Sequence, residues 1–348
     1  MVKNVTVIGL GQMGSALALV AAKAGNNVVA VGTPQDKEII DACIRDGGRH
    51  PRIEQRFPEN VTFCYSEDWE AACKKADFVI GAISSFGVDW FMDDILSKLD
   101  TSVPVLSAAK GLVDLEDGTL ISYPEYWERG LAAKGIKRDI YAIGGPGTAE
   151  EIRRGEHTHV AVCGPDKGLL LMMKEALETD TFHISLTKDV HGLESAVAIK
   201  NAYALGVAMA IGYTGRQDPD KSHFNSQAAA FYQAAKEMVT YLKAEGASED
   251  SIMIGLGDLY VTVTGARTRK IGVLLGEGKT YSEATEILSG MTLESIVIIK
   301  RLAKAIKTKA ARGLVDLADF PMLTFVDEVL EKDRIQEFPW KSFTFTDL

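Results

Sequence analysis

The sequence predicts an α/β N-terminal domain followed by an all-helical C-terminal domain. Short apolar strands alternate with helical segments through the first half of the chain, which is typical of a parallel sheet covered by helices. A glycine-rich turn joins the first strand to the first helix, and from Lys188 onward the pattern changes to long helices. We therefore predict two domains, residues 1–187 and residues 188–348, a division that the length of 348 residues also favours.

The composition indicates a globular protein and argues against some classes of binding partner. Hydrophobic residues make up 46% of the chain and charged residues 25%, which is typical of a globular protein with a large core. The net charge of −10 argues against general binding to nucleic acid or to an anionic membrane. The cysteines (Cys43, Cys64, Cys73 and Cys163) have no paired short spacing, and a strand begins almost at the N-terminus. We therefore predict reduced thiols, no signal peptide and a cytoplasmic location.

The first strand and helix flank a dinucleotide-binding motif. Residues 4–9 form an apolar, β-branched run, and the helical run that follows the motif ends at Gly25. The motif itself is Gly9-Leu10-Gly11-Gln12-Met13-Gly14. Its first two glycines permit a tight turn and close approach of the backbone to a pyrophosphate, and the third lets helix and strand pack. We predict a Rossmann domain whose cofactor-binding residues include Gly9, Gly11, Gln12, Met13 and Gly14. The alternative is a glycine-rich turn in some other α/β protein.

The end of the second strand bears on the choice between NAD and NADP. An NAD-specific enzyme usually places Asp or Glu there, to hold the ribose 2′-hydroxyl. Here the strand of residues 27–32 is followed by Thr33, Pro34 and Gln35, and no carboxylate appears before Asp36. The missing acid leaves room for a 2′-phosphate, with Thr33 and Lys37 as candidate partners. The sequence therefore favours NADP and leaves NAD open.

Two later strand ends contribute further candidates. Ligands of open α/β sheets bind outside the carboxyl ends of the strands. The buried strand of residues 77–83 leads to Phe86, and the strand of residues 104–108 leads to Lys110. We predict that Phe86 and Lys110 lie at the cofactor site. The alternative for Lys110 is a solvated loop lysine.

A histidine pair near the end of the first domain raises the question of a metal site. His157 and His159 flank Thr158 on one face of the strand Thr158–Cys163, which ends at a cysteine. The sequence offers no obvious third and fourth ligand, so we predict no metal.

The helix predicted over residues 189–213 is the most unusual stretch of the chain. It is almost wholly apolar or small, yet it carries Glu194, Lys200 and Asn201. These polar residues argue against a membrane span. An amine on an apolar helix is costly to bury without a partner, so we predict a catalytic or substrate-binding Lys200. The alternative is a lysine that snorkels to the surface. Helices are also predicted over residues 225–246, 293–306 and about 320–330.

Five segments in order resemble the NAD(P)-dependent glycerol-3-phosphate dehydrogenase family. They are SAAKGL, GGPGTAEEIRRG, DVHGLESAVAIKNAYALG, GLGDLYVTVTGARTRKIG and GMTLES, and the resemblance covers nearly the whole chain. It implies a Rossmann domain, an all-helical domain and a cleft between them that holds the chemistry. It also implies hydride transfer between NAD(P) and C2 of glycerol 3-phosphate or dihydroxyacetone phosphate, by an enzyme that forms a homodimer.

The resemblance also implies roles for single residues. Lys200 matches the catalytic lysine, which exchanges a proton with the substrate oxygen, and Lys110 matches a second active-site lysine. Asn201 and Asp258 match residues that position the substrate and the lysine. The other substrate-side positions are Thr262, Arg267 and Thr268. On the cofactor side the matches are Lys110, Ala149, whose backbone meets the nicotinamide amide, Arg267, close to the phosphates, and Glu294.

Three positions depart from the family pattern. Thr268 stands where the family commonly has Asn, and Gln227 and Gln233 stand where it has Lys and Arg. Cations hold a dianionic phosphate better than neutral donors do. The resemblance predicts glycerol 3-phosphate and dihydroxyacetone phosphate as substrates. Because the departures remove two cations, a related polyol phosphate is included in the prediction. Two alternatives stay open: a related two-domain dehydrogenase for a keto acid or opine, and an NAD(P)-binding sensor without catalysis.

Overall fold

A computed structural model describes residues 1–53, 55–219, 222–265, 267–289, 294–334 and 337–344. Its strands are β1 (Asn4–Ile8), β2 (Asn27–Val31), β3 (Val61–Cys64), β4 (Phe78–Gly81), β5 (Val105–Ser107), β6 (Leu112–Asp114), β7 (Leu120–Ser122), β8 (Ile140–Gly144), β9 (Thr158–Cys163) and β10 (Phe182–Thr187). Eight strands form one sheet in the order β10-β9-β8-β5-β4-β1-β2-β3, and β6 pairs with β7 apart from it. Described neighbours in the large sheet are parallel, except β8 and β9. The order from β3 to β8 is that of a dinucleotide-binding sheet, so the predicted Rossmann domain is confirmed.

Helices cover the sheet and make up most of the second half of the chain. They are α1 (Gln12–Lys23), α2 (Lys37–Arg45), α3 (Trp69–Cys73), α4 (Val88–Trp90), α5 (Tyr123–Ala133), α6 (Ala149–Arg154), α7 (Lys167–Leu177), α8 (Val190–Gly215), α9 (Phe224–Ala244), α10 (Glu249–Gly265), α11 (Arg267–Gly276), α12 (Tyr281–Ile287), α13 (Glu294–Ala311) and α14 (Pro321–Lys332). A π-helical segment, Phe91–Leu96, follows α4.

The chain divides into two compact units, each with its own apolar core. The first comprises Met1–Lys110 and Ser122–Glu194, and the second comprises Gly111–Ile121 and Ser195–Leu348. The predicted boundary at 187/188 differs from this division, which falls inside α8. The hairpin of β6 and β7 also joins the second unit, because Leu112 and Leu120 are buried among the apolar side chains of its helices.

The long apolar helix α8 is a core helix. In the described part of the chain it is the one helix whose length and composition would allow it to cross a membrane. However, 89% of the residues in its apolar 18-residue stretch are buried inside the protein. Its apolar surface is therefore covered by other parts of the same chain.

A buried carboxyl group on α9 caps another helix of the second unit. Glu237 is fully buried and accepts hydrogen bonds from the backbone amides of Met322 (2.6 Å) and Leu323 (3.0 Å), in the first turn of α14. Gln233 Nε2 donates to the same carboxyl group at 2.8 Å. Burial raises the pKa of Glu237 to about 7, and these hydrogen bonds oppose the rise. The carboxyl group of Glu237 therefore accepts hydrogen bonds from backbone amides at the start of α14, which have no partner within that helix.

We expect Glu237 to make the stability of the protein depend on pH. A carboxyl group whose pKa is higher in the folded state than in the unfolded state stabilises the fold below its unfolded pKa, near 4.5. That stabilisation is lost as the pH rises through about 7. Between about pH 5 and pH 7 the free energy of unfolding should therefore fall by about 2 kcal/mol more in the wild type than in Glu237→Gln. Urea unfolding at both pH values measures this difference, and Glu331→Gln, an exposed change on α14, is the control. Equal pH slopes in the wild type and Glu237→Gln would contradict the assignment.

Candidate active site

The glycine-rich turn after β1 leaves its outer side open. An added Cβ on Gly14 would lie 1.9 Å from the carbonyl oxygen of Gly9, so helix and strand approach each other too closely for a side chain. Gly9 has a φ of +100° and an added Cβ would meet the Ala82 carbonyl oxygen at 2.5 Å. At Gly11, by contrast, an added Cβ meets nothing within 4 Å. Gly11 precedes the first turn of α1 and makes no side-chain cap. The turn thus fits a dinucleotide whose pyrophosphate lies against bare backbone at a helix N-terminus.

A matched pair of glycine variants tests this fit. Gly11→Ala should leave the melting temperature unchanged, because the added methyl group meets no protein atom. It should nevertheless weaken cofactor binding by about tenfold or more, because the methyl group occupies the approach of the pyrophosphate. Gly14→Ala should lower the melting temperature, because its methyl group displaces the turn itself. Cofactor titration and thermal unfolding measure both effects. Wild-type affinity in Gly11→Ala would show that the cofactor does not approach there.

The hydroxyl of Thr33 is engaged within the protein. Thr33 Oγ1 donates to Asp36 Oδ2 at 2.8 Å, and the backbone amide of Thr33 donates to the same oxygen at 2.9 Å. We predicted Thr33 as a partner of a 2′-phosphate, but its hydroxyl hydrogen is directed at Asp36. Asp36 is itself only 9% exposed. Lys37, the other candidate, begins α2 with an exposed side chain.

The carboxyl ends of the central strands carry the other predicted residues of the first unit. Lys110 follows β5, and its Nζ lies 3.4 Å from the carbonyl oxygen of Gly145, beyond β8. Lys110 and Met13 line a pocket together with residues of β8 and α6. Phe86 is 75% exposed after β4, and Ala149 is the buried first residue of α6. The fold therefore places all four at the sheet edge where ligands of this architecture bind.

Glu194 is a buried acid that the sequence analysis did not assign to the site. It is 1% exposed, and neither of its carboxyl oxygens has a hydrogen-bond partner in the described part of the chain. Burial raises the pKa of Glu194 to about 8, while Lys110 lowers it and Glu125 raises it further. Glu194 is therefore a neutral carboxylic acid near pH 7. The signal that singled out Lys200, a charged group on an apolar helix, applies equally to Glu194.

Three predicted residues of the second unit form one buried cluster. Lys200 Nζ donates to Asp258 Oδ1 and to Thr262 Oγ1, each at 2.6 Å. Asp258 and Thr262 lie one turn apart on α10, and the Thr262 hydroxyl donates to the Asp258 carbonyl oxygen at 2.7 Å. Because that bond uses the hydroxyl hydrogen, the Thr262 oxygen faces Lys200 as an acceptor. The Lys200 side chain is 9% exposed and that of Asp258 is 1% exposed. Lys200 is therefore held in the fold and does not snorkel to the surface.

The remaining predicted residues lie outside this hydrogen-bonded cluster. Asn201 follows Lys200 on α8 with a half-buried side chain. Arg267 begins α11 with an exposed side chain, and Thr268, next to it, is 7% exposed. Glu294 begins α13, and its side chain lies outside the described part of the structure, as does most of the GMTLES segment.

The structure gives Gln233 a different partner from the one that we expected. We expected this position near the substrate, where loss of a cation would weaken phosphate binding. Gln233 is instead 2% exposed, and it donates to Glu237 in the cap of α14. The structure therefore gives Gln233 a partner in the core of the second unit that the sequence did not indicate. Gln227, near the start of α9, is half-buried.

Two family models match the chain and together span most of it. The model described as NAD-dependent glycerol-3-phosphate dehydrogenase N-terminus matches residues 4–170. The model described as NAD-dependent glycerol-3-phosphate dehydrogenase C-terminus matches residues 189–338. The second match begins close to the point near residue 188 where the pattern of alternating strands and helices changes to helices alone.

Named relatives show the same similarity. An NADP(+)-dependent glycerol-3-phosphate dehydrogenase from Archaeoglobus fulgidus is 30% identical over 348 residues, covering 98% of this chain and 99% of the relative. A glycerol-3-phosphate dehydrogenase (NAD(P)+) from Clostridium acetobutylicum is 30% identical over 304 residues, covering 84% of each. The crystal structure of glycerol-3-phosphate dehydrogenase from Coxiella burnetii superposes with a TM-score of 0.76 at 21% identity, covering 98% of both chains. This last similarity supports the fold.

Proposed function

The chain belongs to the NAD-dependent glycerol-3-phosphate dehydrogenase family, and on that premise we propose that it interconverts glycerol 3-phosphate and dihydroxyacetone phosphate with NAD or NADP. The reaction moves a hydride between the cofactor and C2 of the substrate and a proton to or from the C2 oxygen. Two relatives with these activities in their names each cover more than four fifths of the chain. A cytoplasmic location and a homodimer remain predictions from the sequence.

The observation that carries the proposal is the buried Lys200–Asp258–Thr262 cluster. A lysine of purely structural function would be better replaced by Leu or Met, since a buried ion pair is a weak source of stability. Here the amine is fixed by two oxygens at 2.6 Å on one turn of α10. Because the amine is already held in position, it does not have to be reoriented when negative charge develops on a reacting oxygen. The cluster therefore supplies a positioned proton donor with a defined partner for its charge.

We assign the proton transfer of this reaction to Lys200. In the reduction direction the Lys200 ammonium stabilises the negative charge that develops on the C2 oxygen and then donates a proton to it. In the oxidation direction Lys200, as the neutral amine, accepts that proton. Asp258 orients the amine and balances its charge, and the Thr262 oxygen fixes the position of Nζ. Lys110 is the second amine of the reaction, and Arg267 and Thr268 hold the phosphate of the substrate.

The first unit provides the residues that fit the cofactor. When bound, the cofactor supplies or accepts the hydride. Gly11 offers open backbone for the pyrophosphate, and the first turn of α1 offers amide donors. Phe86, Ala149 and Glu294 are proposed as further cofactor contacts, on the basis of the family resemblance.

A substrate panel tests the proposal. Oxidation of NADPH and of NADH should be followed with dihydroxyacetone phosphate, larger keto-sugar phosphates and keto acids. We expect the highest kcat/KM with dihydroxyacetone phosphate. A higher value with a keto acid would assign the chain to another reaction. Tight cofactor binding without oxidation of the cofactor by any compound would indicate a sensor.

A further inference from the structure

Glu194, on α8, is a buried acid that has no role in the reaction as assigned above. It is 1% exposed, and neither carboxyl oxygen has a hydrogen-bond partner among the residues that the structure describes. A buried polar group without a hydrogen bond costs stability, and Leu or Met at this position of an apolar helix would avoid that cost. The choice of residue therefore indicates a function of the carboxyl group itself.

The titratable groups around Glu194 come from four parts of the first unit. Lys110 follows β5 and Glu125 lies on α5, and the charges of both act on Glu194. The Cys163 thiol, at the end of β9, is fully buried, and burial raises its pKa. The charges of Glu194 and of Asp189, just before α8, raise the pKa of this thiol further. Within this cluster Lys110 is a cation that Glu194 can balance.

The two glutamates of the cluster differ in protonation. Glu125 accepts from the Ser122 amide at 2.7 Å and from the Ser122 hydroxyl at 2.9 Å, and His191 Nδ1 lies 3.1 Å from its other oxygen. Burial opposes the ionisation of Glu125, but these hydrogen bonds outweigh burial and its pKa is lowered. Burial raises the pKa of Glu194 to about 8, although Lys110 lowers it. Near pH 7 the cluster thus holds one carboxylate, Glu125, and one neutral acid, Glu194.

Lys110 belongs both to this cluster and to the pocket at the carboxyl ends of the strands. Its Nζ lies 3.4 Å from the Gly145 carbonyl oxygen, and it lines the pocket together with Met13. While Glu194 is neutral, it does not balance the ammonium charge, which attracts an anionic ligand. Once Glu194 is a carboxylate, the opposite charge attracts the ammonium group strongly, because both are shielded from water. The protonation of Glu194 therefore controls how much of the Lys110 charge reaches a ligand.

We propose that Glu194 is a positioning residue of the reaction that acts through Lys110: the neutral acid leaves the ammonium charge to the anionic substrate, and the carboxylate withdraws it. The proposal rests on the proposed function, in which Lys110 is the second amine. It assigns a role to a side chain that makes no contact with the reacting atoms. Its consequence is weaker binding of the substrate at alkaline pH.

The affinity for dihydroxyacetone phosphate should depend on the ionisation of Glu194. The compound is titrated calorimetrically into the protein saturated with oxidised cofactor, so that no turnover occurs. From about pH 7 to about pH 9 the fraction of protein with a neutral Glu194 falls about tenfold, so Kd should rise about tenfold. The charge of the ligand is nearly constant over this range, because a phosphate monoester has its second pKa at about 6.

Three variants show whether Glu194 causes the rise in Kd. In Glu194→Gln the rise should be less than about twofold, because an amide of the same shape does not ionise. Lys110→Met should bind more weakly and also lose the rise, since the charge that Glu194 controls is gone. Glu175→Gln, which removes an exposed carboxylate from α7, should keep the wild-type rise.

Carbon-13 NMR of the side-chain carboxyl groups tests the link between Glu194 and Lys110 without any ligand. The Glu194 signal is identified by its absence from Glu194→Gln. In the wild type its titration should have a midpoint near pH 8. In Lys110→Met the midpoint should rise by about one pH unit or more, because the cation that favours the carboxylate is removed. A purely structural Glu194 would titrate alike in both proteins.

The outcomes separate this proposal from the proposed function. An equal midpoint in the wild type and Lys110→Met would overturn the inference. A tenfold rise of Kd in Glu194→Gln, or no rise in the wild type, would overturn it as well, even if the protein reduces dihydroxyacetone phosphate. If the compound binds with the expected pH dependence but is not reduced, the proposed function is refuted and this inference stands.

Discussion

Replacing Lys200 by Met lowers kcat for dihydroxyacetone phosphate by about a thousandfold or more. The variant loses both the proton donor and the cation that stabilises the developing alkoxide, each of which contributes roughly a hundredfold or more. Cofactor affinity should stay within about threefold of the wild type, because the cofactor contacts that we propose for the turn lie in the first unit. Initial rates and cofactor titration on the same preparation measure the two quantities.

Two further variants sharpen the test of Lys200. Lys200→Arg keeps a cation beside Asp258, but a guanidinium does not release a proton near neutral pH. It should therefore lower kcat by about a hundredfold or more while it preserves the ion pair. Lys243→Met, an exposed change on α9, should leave kcat unchanged. If Lys200→Arg turns over at the wild-type rate, Lys200 acts through its charge alone and the proton assignment is wrong.

Breaking the buried ion pair from one side should destabilise the protein strongly. Asp258→Val leaves the Lys200 amine buried without its carboxylate, which costs about 3–5 kcal/mol in the free energy of unfolding. The double variant Lys200→Met/Asp258→Val leaves no buried charge at this position. Its free energy of unfolding should therefore return to within about 1 kcal/mol of the wild type or exceed it, although the protein is inactive.

Chemical unfolding of the four proteins of this double-mutant cycle measures the prediction. A double variant that is stable and inactive shows that the pair serves the reaction. Losses that add up in the double variant would instead assign the pair to the stability of the helical unit. The proposed mechanism would then lose the observation that carries it.

Local sequence signals predicted the Rossmann turn well because the turn is a local structure. The glycine spacing, the preceding strand and the following helix lie within a few residues of one another, and the structure has β1 and α1 as expected. The same kind of signal was available for α5, where Ser122 and Glu125 form a capping box, but that helix was not predicted. The short strands β6 and β7 carry too few residues for an alternating pattern to be recognised.

Contacts between distant residues could not be read from the sequence in the same way. Lys200 and Asp258 are 58 residues apart, and only the family resemblance linked them before the structure placed them 2.6 Å apart. Position 233 shows the opposite case, since the pattern of the family suggested a substrate contact where the structure has a core hydrogen bond. Asp36, the first carboxylate after β2, accepts a hydrogen bond from the backbone amide of Leu10, a contact that no local pattern indicated. Side-chain direction depends on packing partners that single-sequence patterns do not contain.

The central claim, hydride transfer to C2 coupled to proton donation by Lys200, is tested most directly by isotope transfer. The full-length protein is incubated with dihydroxyacetone phosphate and reduced cofactor deuterated at the transferred position, and the product is analysed by mass spectrometry. The wild type should form glycerol 3-phosphate with a single deuterium at C2, and Lys200→Met should form almost none in the same time. Absence of the labelled product from the wild type, or equal yields from both proteins, would contradict the account.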